Sequence, residues 1–369
     1  MTRKPAGDYL IVFTLWLLVF AASSQSMIIS PILPLIGEEL SIPEALLGTL
    51  VSAYSLMVGV FAVISGPISD RVGRRRILIL GSGIMTVALV LHFFVIGYVS
   101  FLVVRVVAGG AGGVLSGAAV SYIGDHFPYN RRGWATGWVM SGSAFGQIFG
   151  IPVGVLLAGE FGFKAPFYFF AVFMALTFAL LFARVPQPPV KRRLDRLTVG
   201  GAVRDYWLMF RRPAIASASV AFFLMFLGVS VYVVYLPTWL TQVHGFTPNL
   251  IASLFLVGGI ANVLTGPQAG KLSDLVGRKS IILVSCVGLS ILMVGTTWLM
   301  VGTWAAFVLF FFVMVLVAMR ISPFSALLTA LVPDSRRGSL MSMAVAKHRL
   351  QIGLEPTTGS SCRGLPEAG

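Results

Sequence analysis

The sequence contains ten long apolar runs, and each is long enough for an α-helix to cross the hydrocarbon core of a membrane, about 20 residues. Hydrophobic residues make up 57% of the 369 residues and charged residues only 11%, with a mean hydropathy of +0.91. A soluble domain, in contrast, is about one quarter charged. We therefore predict an all-α polytopic membrane protein with spans at about 10–36, 46–65, 77–97, 101–123, 134–158, 165–184, 214–241, 249–269, 280–300 and 304–331.

Most charged residues lie in the loops between these runs, and the basic ones are concentrated in every second loop. Loops after the even-numbered runs carry the arginines and lysines, whereas loops after the odd-numbered runs carry almost none, Lys164 being the exception. The positive-inside rule therefore predicts a multi-pass protein of the cell membrane with a cytoplasmic N-terminus. The same rule explains the net charge of +14 without a nucleic-acid partner.

Few residues in the sequence suit catalysis or metal binding. The two cysteines, Cys286 and Cys362, give no disulfide framework, and the four histidines are scattered without metal-ligand spacing. No phosphate-binding loop is present, which disfavours transport driven by ATP within this chain. We expect no cofactor, no metal and no enzyme activity.

Two short motifs each occur twice at nearly the same interval. GPISDRVGRRR at 66–76 is matched by GKLSDLVGRK at 270–279, a separation of 270 − 66 = 204 residues. PYNRRG at 128–133 is matched by PDSRRG at 333–338, a separation of 333 − 128 = 205 residues. Two unrelated motifs repeated at one interval indicate a duplicated half. We interpret 66–76 as a tight loop at the membrane surface, in which Asp70 caps a helix or accepts hydrogen bonds from the nearby arginines.

The duplication predicts four parts of the chain. Residues 1–185 form a six-helix bundle, 186–213 a proline-rich and basic cytoplasmic linker, 214–346 a second bundle of four spans with the start of an eleventh, and 347–369 a polar, disordered tail. The repeat leads to an expectation of 12 spans, yet the charged segment after residue 346 cannot cross a bilayer. Two explanations stay open: a truncated or frameshifted chain, and a natural ten-span variant.

The repeated motif resembles the signature that follows the second helix in the major facilitator superfamily of secondary transporters, with a weaker copy after the eighth helix. The resemblance covers about residues 8–346, and Ile68 in place of the usual leucine is a mild departure. In that family the loop gates the cytoplasmic side. This implies that Asp70 engages a helix N-terminus of the other half, that arginines pair beside it, and that Asp274 has its counterpart at the start of span 5. The gating residues so implied are Gly66, Asp70, Arg71, Gly73, Arg74, Arg75, Gly270, Asp274, Gly277 and Arg278.

Span 4 contains an arginine followed four residues later by glycine, Arg105 and Gly109, which is similar to the pattern of that family's fourth helix. A charged side chain inside a membrane span is costly, so Arg105 is a candidate functional residue. The alternative is an arginine whose side chain extends to the outer membrane surface.

Span 5 carries a series of small residues at every fourth position, which makes a smooth ridge for close helix contact. The series resembles the antiporter signature of that family's fifth helix, although Ile151 separates the last glycine of the usual Gly-Pro pair from the proline. The alternative is helix packing without a role in coupling. The residues concerned are Gly142, Gly146, Gly150, Pro152 and Gly154.

Polar groups at middle depth are the candidates for binding a substrate or coupling ion, in a cavity that we expect to be mostly apolar. No Asp or Glu lies in the middle of a predicted span, which weakens the case for a polycationic drug and favours a neutral or anionic solute. The candidates are Gln25, Tyr54, Arg105, Gln147, Tyr232, Tyr235, Asn262 and Arg320.

The resemblance implies transport of a small organic solute by alternating access, with efflux by proton antiport as the first hypothesis. A solute importer of the same fold and a transport-inactive truncated copy are the alternatives. The expected partners are the lipid bilayer, a small-molecule substrate and protons, and the chain is expected to act as a monomer.

Overall fold

The computed structural model describes residues 5–188, 204, 207–208, 211–299 and 302–331. This part of the chain is helical and contains no strand. Most of the predicted linker at 186–213, and all of 332–369 with the predicted tail and eleventh span, lie outside the described residues. The helices are α1 (Pro5–Met27), α2 (Ile29–Glu39), α3 (Glu44–Val72), α4 (Arg74–Leu91), α5 (Tyr98–Leu115), α6 (Ala118–His126), α7 (Arg132–Phe145), α8 (Ile151–Phe161), α9 (Lys164–Ala183), α10 (Pro213–His244), α11 (Pro248–Val276), α12 (Arg278–Leu299) and α13 (Thr303–Leu331).

Ten long segments correspond to the ten predicted spans, so the prediction of an all-α polytopic protein is confirmed. Within the described residues, nine helical segments are long and apolar enough to cross a membrane. The remaining long helix, α11, has 29 residues, which exceeds the length that a crossing requires.

Three of the predicted spans are interrupted, and prolines and glycines explain the breaks. Span 1 divides at Ile28 into α1 and α2, because Pro31 has no N–H to donate to the carbonyl of the residue four positions earlier. Span 4 divides after Leu115 in a glycine-rich stretch, where glycine weakens the helix. Span 5 contains a π-helical turn at Gly146–Gly150, just before Pro152.

The tight loop predicted at 66–76 is shorter than expected and consists of a single residue. Helix α3 continues to Val72 and α4 begins at Arg74, so one residue, Gly73, makes the whole turn with φ +106°. Gly277 makes the same turn between α11 and α12 with φ +107°. A single residue suffices because glycine adopts this backbone conformation without steric cost. Gly66 and Asp70 consequently lie buried in the last two turns of α3.

The helices form two bundles, which we name the N-terminal bundle (α1–α9) and the C-terminal bundle (α10–α13). The largest cluster of buried apolar side chains is formed entirely by residues 11–185, in the N-terminal bundle. Smaller clusters hold α10–α13 together. Helix α7 packs on α1 within its own bundle and on α11 and α13 of the other bundle, so it is the main link between the two.

Candidate functional site

The first feature of the site is a contact between the bundles at the beginning of α7. The carboxylate of Asp274, near the end of α11, accepts hydrogen bonds from the backbone N–H groups of Gly133 (3.1 Å) and Trp134 (3.0 Å). The first N–H groups of a helix have no partner within it and carry partial positive charge. Asp274 therefore caps a helix of the opposite bundle, which is the position that the resemblance implies for it.

Arg278 supports this contact from the first turn of α12. Its Nη2 donates to Asp274 at 2.9 Å and to the carbonyl oxygen of Tyr129 at 2.5 Å, and its Nη1 donates to the carbonyl of Ala326 at 3.2 Å. The guanidinium carbon lies 3.8 Å from the centre of the Tyr129 ring. One arginine thus connects the loop before α7 with α11 and α13.

Glycines let the two helices approach at this contact. A Cβ atom added to Gly270 would collide with the carbonyl oxygen of Gly133, and one added to Gly137 would collide with that of Gly266. The Ser322 hydroxyl also donates to the Gly133 carbonyl at 2.7 Å. The backbones of α7 and α11 are therefore as close as their atoms allow, which leaves no space for larger residues.

The first copy of the motif makes its described contacts within the N-terminal bundle. Arg74 bridges two buried carboxylates, with nitrogen–oxygen distances of 2.6 Å to Asp70 and 2.8 Å to Asp125, and it also donates to the Ser69 hydroxyl at 3.1 Å. All four side chains are buried, so the charges are compensated in a region of low dielectric. The helix end of the other half that the resemblance implies for Asp70 lies outside the described residues.

The segment that leaves α9 is attached to the same turn. Arg75 donates from Nη2 to the carbonyl of Phe182 at 2.6 Å, and its backbone N–H donates to Gln187 at 3.2 Å. The Tyr122 hydroxyl donates to the carbonyl of Pro186 at 2.6 Å. The turn at Gly73 and the exit from the N-terminal bundle thus form one connected surface. Arg71, which the sequence grouped with these arginines, is half-buried beside it.

The glycine series of span 5 packs on α1 and α2. A Cβ atom added to Gly142 would collide with the carbonyl oxygen of Trp16. One added to Gly146 or Gly150 would collide with the Ser24 hydroxyl, and one added to Gly154 with the Ile28 side chain. Pro152 lies in the first turn of α8, directly after the π-helical turn. The ridge predicted from the sequence is therefore a packing surface, and its role in antiport stays a prediction.

A cavity of about 240 Å³ lies between the two bundles. Its wall is mainly apolar, and Phe222 and Phe226 form a tilted ring pair there with centroids 4.8 Å apart. Among the described residues its wall contains no charged side chain. The polar residues of the wall are Ser23, Tyr54, Ser116, Ser143 and Ser325, so the cavity can offer hydroxyl groups to a small solute.

Of the eight predicted binding candidates, Tyr54 alone is part of the described cavity wall. Gln25 and Arg105 contact Tyr54 from the protein side: Gln25 Nε2 donates to the Tyr54 hydroxyl at 2.8 Å, and the guanidinium carbon of Arg105 is 4.2 Å from the centre of its ring. Arg105 is 0% exposed, so the alternative of an arginine that reaches the membrane surface is wrong.

The other candidates lie elsewhere. Gln147 is exposed on the π-helical turn, and Asn262 is half-buried in α11. The Tyr232 hydroxyl is 3.1 Å from that of Thr296, and Arg320 donates to a backbone carbonyl in α10. The side chain of Tyr235 lies outside the described part of the structure.

Sequence reasoning missed most of the polar wall. Ser116 lies in the break between α5 and α6, and Ser143 lies within the glycine series of span 5, so nearby glycines are the sequence signal that could have pointed to both. Asp8 was also missed. It lies near the start of α1, 3.2 Å from Arg131 in the loop before α7 and 3.5 Å from His126 at the end of α6.

Comparisons with known proteins agree with this architecture. The Major Facilitator Superfamily model matches residues 15–346. The multidrug resistance protein MdtG of Rahnella sp. (strain Y9602) is 30% identical over 297 residues, which cover 76% of this chain and 69% of that protein. The uncharacterized MFS-type transporter YceJ of Bacillus subtilis (strain 168) is 27% identical over 266 residues, covering 71% and 67%. The solved structure of the proton:xylose symporter XylE bound to 6-bromo-6-deoxy-D-glucose has a TM-score of 0.77 at 19% identity, covering 94% of this chain and 87% of that one.

Proposed function

Because this chain belongs to the major facilitator superfamily, a family of membrane transporters, we propose that it exports a small organic solute in exchange for protons. The observation that carries the proposal is the cavity between the bundles, whose wall takes residues from α1, α3, α5, α6 and α7 on one side and α10 and α13 on the other. A solute bound there contacts both bundles, so a change in their relative position alters its access to either membrane face.

The Asp274 contact supplies a gate for such a movement. It joins α11 to the beginning of α7 through hydrogen bonds that form only while the bundles are together at this end. In the proposal this end faces the cytoplasm, as the arginine-rich loops predict. Opening it breaks the two hydrogen bonds to Asp274 and exposes the cavity to cytoplasmic solutes.

Two observations support export by antiport. The relative with 30% identity is named a multidrug resistance protein. The glycine ridge of α7 and α8 resembles the antiporter signature and permits close packing on α1. In the proposal Asp70 and Asp125, the two buried carboxylates that pair with Arg74, are the candidate residues for coupling to protons.

Proton release from inverted membrane vesicles tests this function. Vesicles with an acidic lumen would receive, one at a time, three solutes with the same ring: naphthalene-2-sulfonate, naphthalene-2-sulfonamide and 2-naphthylmethyl-trimethylammonium. We expect at least one added solute to collapse the acid gradient, read by a pH-sensitive acridine dye, and no collapse in vesicles that lack the protein. A symporter moves solute and proton in the same direction, so it would collapse the gradient only when the solute is loaded inside the vesicles. That result would support the importer alternative and refute antiport.

A further inference from the structure

A buried cation lies behind the cavity wall. Arg105 is fully buried, its Nε lies 3.4 Å from the carbonyl oxygen of Leu50, and its guanidinium group lies against the ring of Tyr54. Within the described part of the structure, its Nη1 and Nη2 have no hydrogen-bond partner, and no carboxylate lies within 4.0 Å. A charge in this position acts strongly on its surroundings, because little water is present to screen it.

The Tyr54 hydroxyl group is oriented by Gln25. The Gln25 Nε2 atom lies 3.2 Å from the carbonyl oxygen of Ala22 and 2.8 Å from the Tyr54 hydroxyl oxygen. An atom this close to a carbonyl oxygen must be the nitrogen, which determines the orientation of the amide. Gln25 therefore donates to Tyr54, and the tyrosine's own O–H remains free to donate elsewhere. The hydroxyl lies beside Gly112, another residue of the cavity wall.

A second buried cation lies on the other side of the cavity. Arg320, in α13, is 6% exposed and precedes Ile321, which is part of the wall. Its Nη2 donates to the carbonyl of Met225 at 2.7 Å, and no carboxylate among the described residues forms an ion pair with it. In each bundle one buried cation thus contacts a helix that contributes to the cavity wall, Arg105 at Tyr54 and Arg320 at Met225, and the described wall carries no negative charge to balance them.

We infer that the cavity selects an amphipathic organic anion. Its acidic group accepts a hydrogen bond from the Tyr54 hydroxyl, whose ring lies against Arg105, and its apolar body contacts Phe222 and Phe226. The inference rests on the proposed function, since it assigns a substrate class to the same cavity. Tyr54 is the specificity residue, and Arg105 acts through it by electrostatic attraction. A cationic solute of the same shape is repelled by both arginines.

Binding of the three naphthalene probes to the purified full-length chain in lipid nanodiscs tests the inference, with empty nanodiscs as the blank. Hydrogen bonds to charged groups are stronger than those between neutral groups, so we expect the sulfonate to bind at least about tenfold more tightly than the sulfonamide. The trimethylammonium probe is expected to bind most weakly. Equal binding, or tightest binding of the ammonium probe, would overturn the inference and leave the transport proposal intact. Failure of all three probes to bind would overturn both.

Variants locate the selectivity. Tyr54→Phe keeps the ring over Arg105 but removes the hydroxyl, and Arg105→Gln removes the charge; each is expected to reduce the ratio of sulfonate to sulfonamide affinity by about tenfold. Arg76→Gln, which removes an exposed positive charge in α4, is the matched control and should leave the ratio unchanged. Circular-dichroism melting would show whether Arg105→Gln fails to fold. In that case the affinity ratio of Tyr54→Phe alone tests the inference. A ratio that this variant does not alter would refute the assignment of Tyr54.

Discussion

Replacing Asp274 with asparagine should open the contact between the bundles. The carboxylate accepts hydrogen bonds from the N–H groups of Gly133 and Trp134 at 3.1 and 3.0 Å, and from Arg278 at 2.9 Å. The asparagine has one acceptor oxygen and an amide nitrogen that cannot accept from an N–H group. The variant therefore loses the negative charge and at least one of the hydrogen bonds between α7 and α11, while the side chain keeps its volume.

The size of the effect follows from the bonds that are lost. A hydrogen bond to a charged group contributes about 1.5–3 kcal/mol, so the loss of one bond and the weakening of the others should cost about 2–3 kcal/mol. Each 1.4 kcal/mol changes an equilibrium constant about tenfold, so the population with this end open should rise by about 30- to 150-fold. The fold itself should persist, because both bundles keep their apolar clusters.

Alkylation of a cysteine placed at this contact measures that population. Ser322 is 2% exposed and donates to the Gly133 carbonyl, so Ser322→Cys would be shielded while the bundles are together. The variant requires a background in which Cys286 and Cys362 are replaced with alanine. When opening is rare and fast, the rate of reaction with a maleimide is proportional to the open population. The rate should therefore rise by the same factor in Asp274→Asn.

Glu160→Gln is the matched control, since it also converts a carboxylate to an amide but at an exposed position of α8. Its alkylation rate should equal that of the parent. A change of about 1.4 kcal/mol would alter the alkylation rate about tenfold. If the rate in Asp274→Asn instead stays within about twofold of the parent rate, the carboxylate does not hold the bundles together and the gate assignment fails.

Two further variants test packing and charge in the N-terminal bundle. Arg74→Gln should lower the unfolding free energy by about 3–5 kcal/mol, because it removes the cation that pairs with Asp70 and Asp125. The control Arg76→Gln, at an exposed site, should have little effect. Equal melting temperatures for the two variants would refute the ion-pair argument. Gly150→Ala places a Cβ against Ser24 and should lower the unfolding free energy by about 1–3 kcal/mol. The control Gly159→Ala meets no atom within 4 Å and should not lower it. Thermal denaturation in detergent measures both, and an unchanged melting temperature for Gly150→Ala would show that the ridge is loosely packed.

The sequence predicted the helices well because each span produces a long apolar signal of its own. The interruptions were harder to predict, since they depend on single residues such as Pro31 and Pro152 within otherwise continuous runs. The turns at Gly73 and Gly277 were mistaken for longer loops because charge normally marks the end of a helix. Here the charged residues continue the helices, and Asp70 stays buried because Arg74 compensates it.

The candidate site was predicted less completely than the fold. Periodicity and charge identified Arg105 as an intramembrane cation, but its position behind Tyr54 depends on how α3 and α5 pack. The serines of the cavity wall carried no signal of their own, because serine is common in membrane helices as a partner for backbone carbonyls. Which polar residues face a shared space is a property of the packing, and a single sequence does not encode it in any local pattern.

Solute accumulation in proteoliposomes tests the central claim most directly. The purified chain would be reconstituted with the membrane potential clamped at zero, and uptake of the tightest-binding naphthalene probe would be followed with an acidic and with an alkaline lumen. Antiport predicts that the probe accumulates against its gradient only when the lumen is acidic, as protons leave in exchange. Accumulation only with an alkaline lumen would establish symport instead, and equal uptake under both conditions would contradict any coupling to protons.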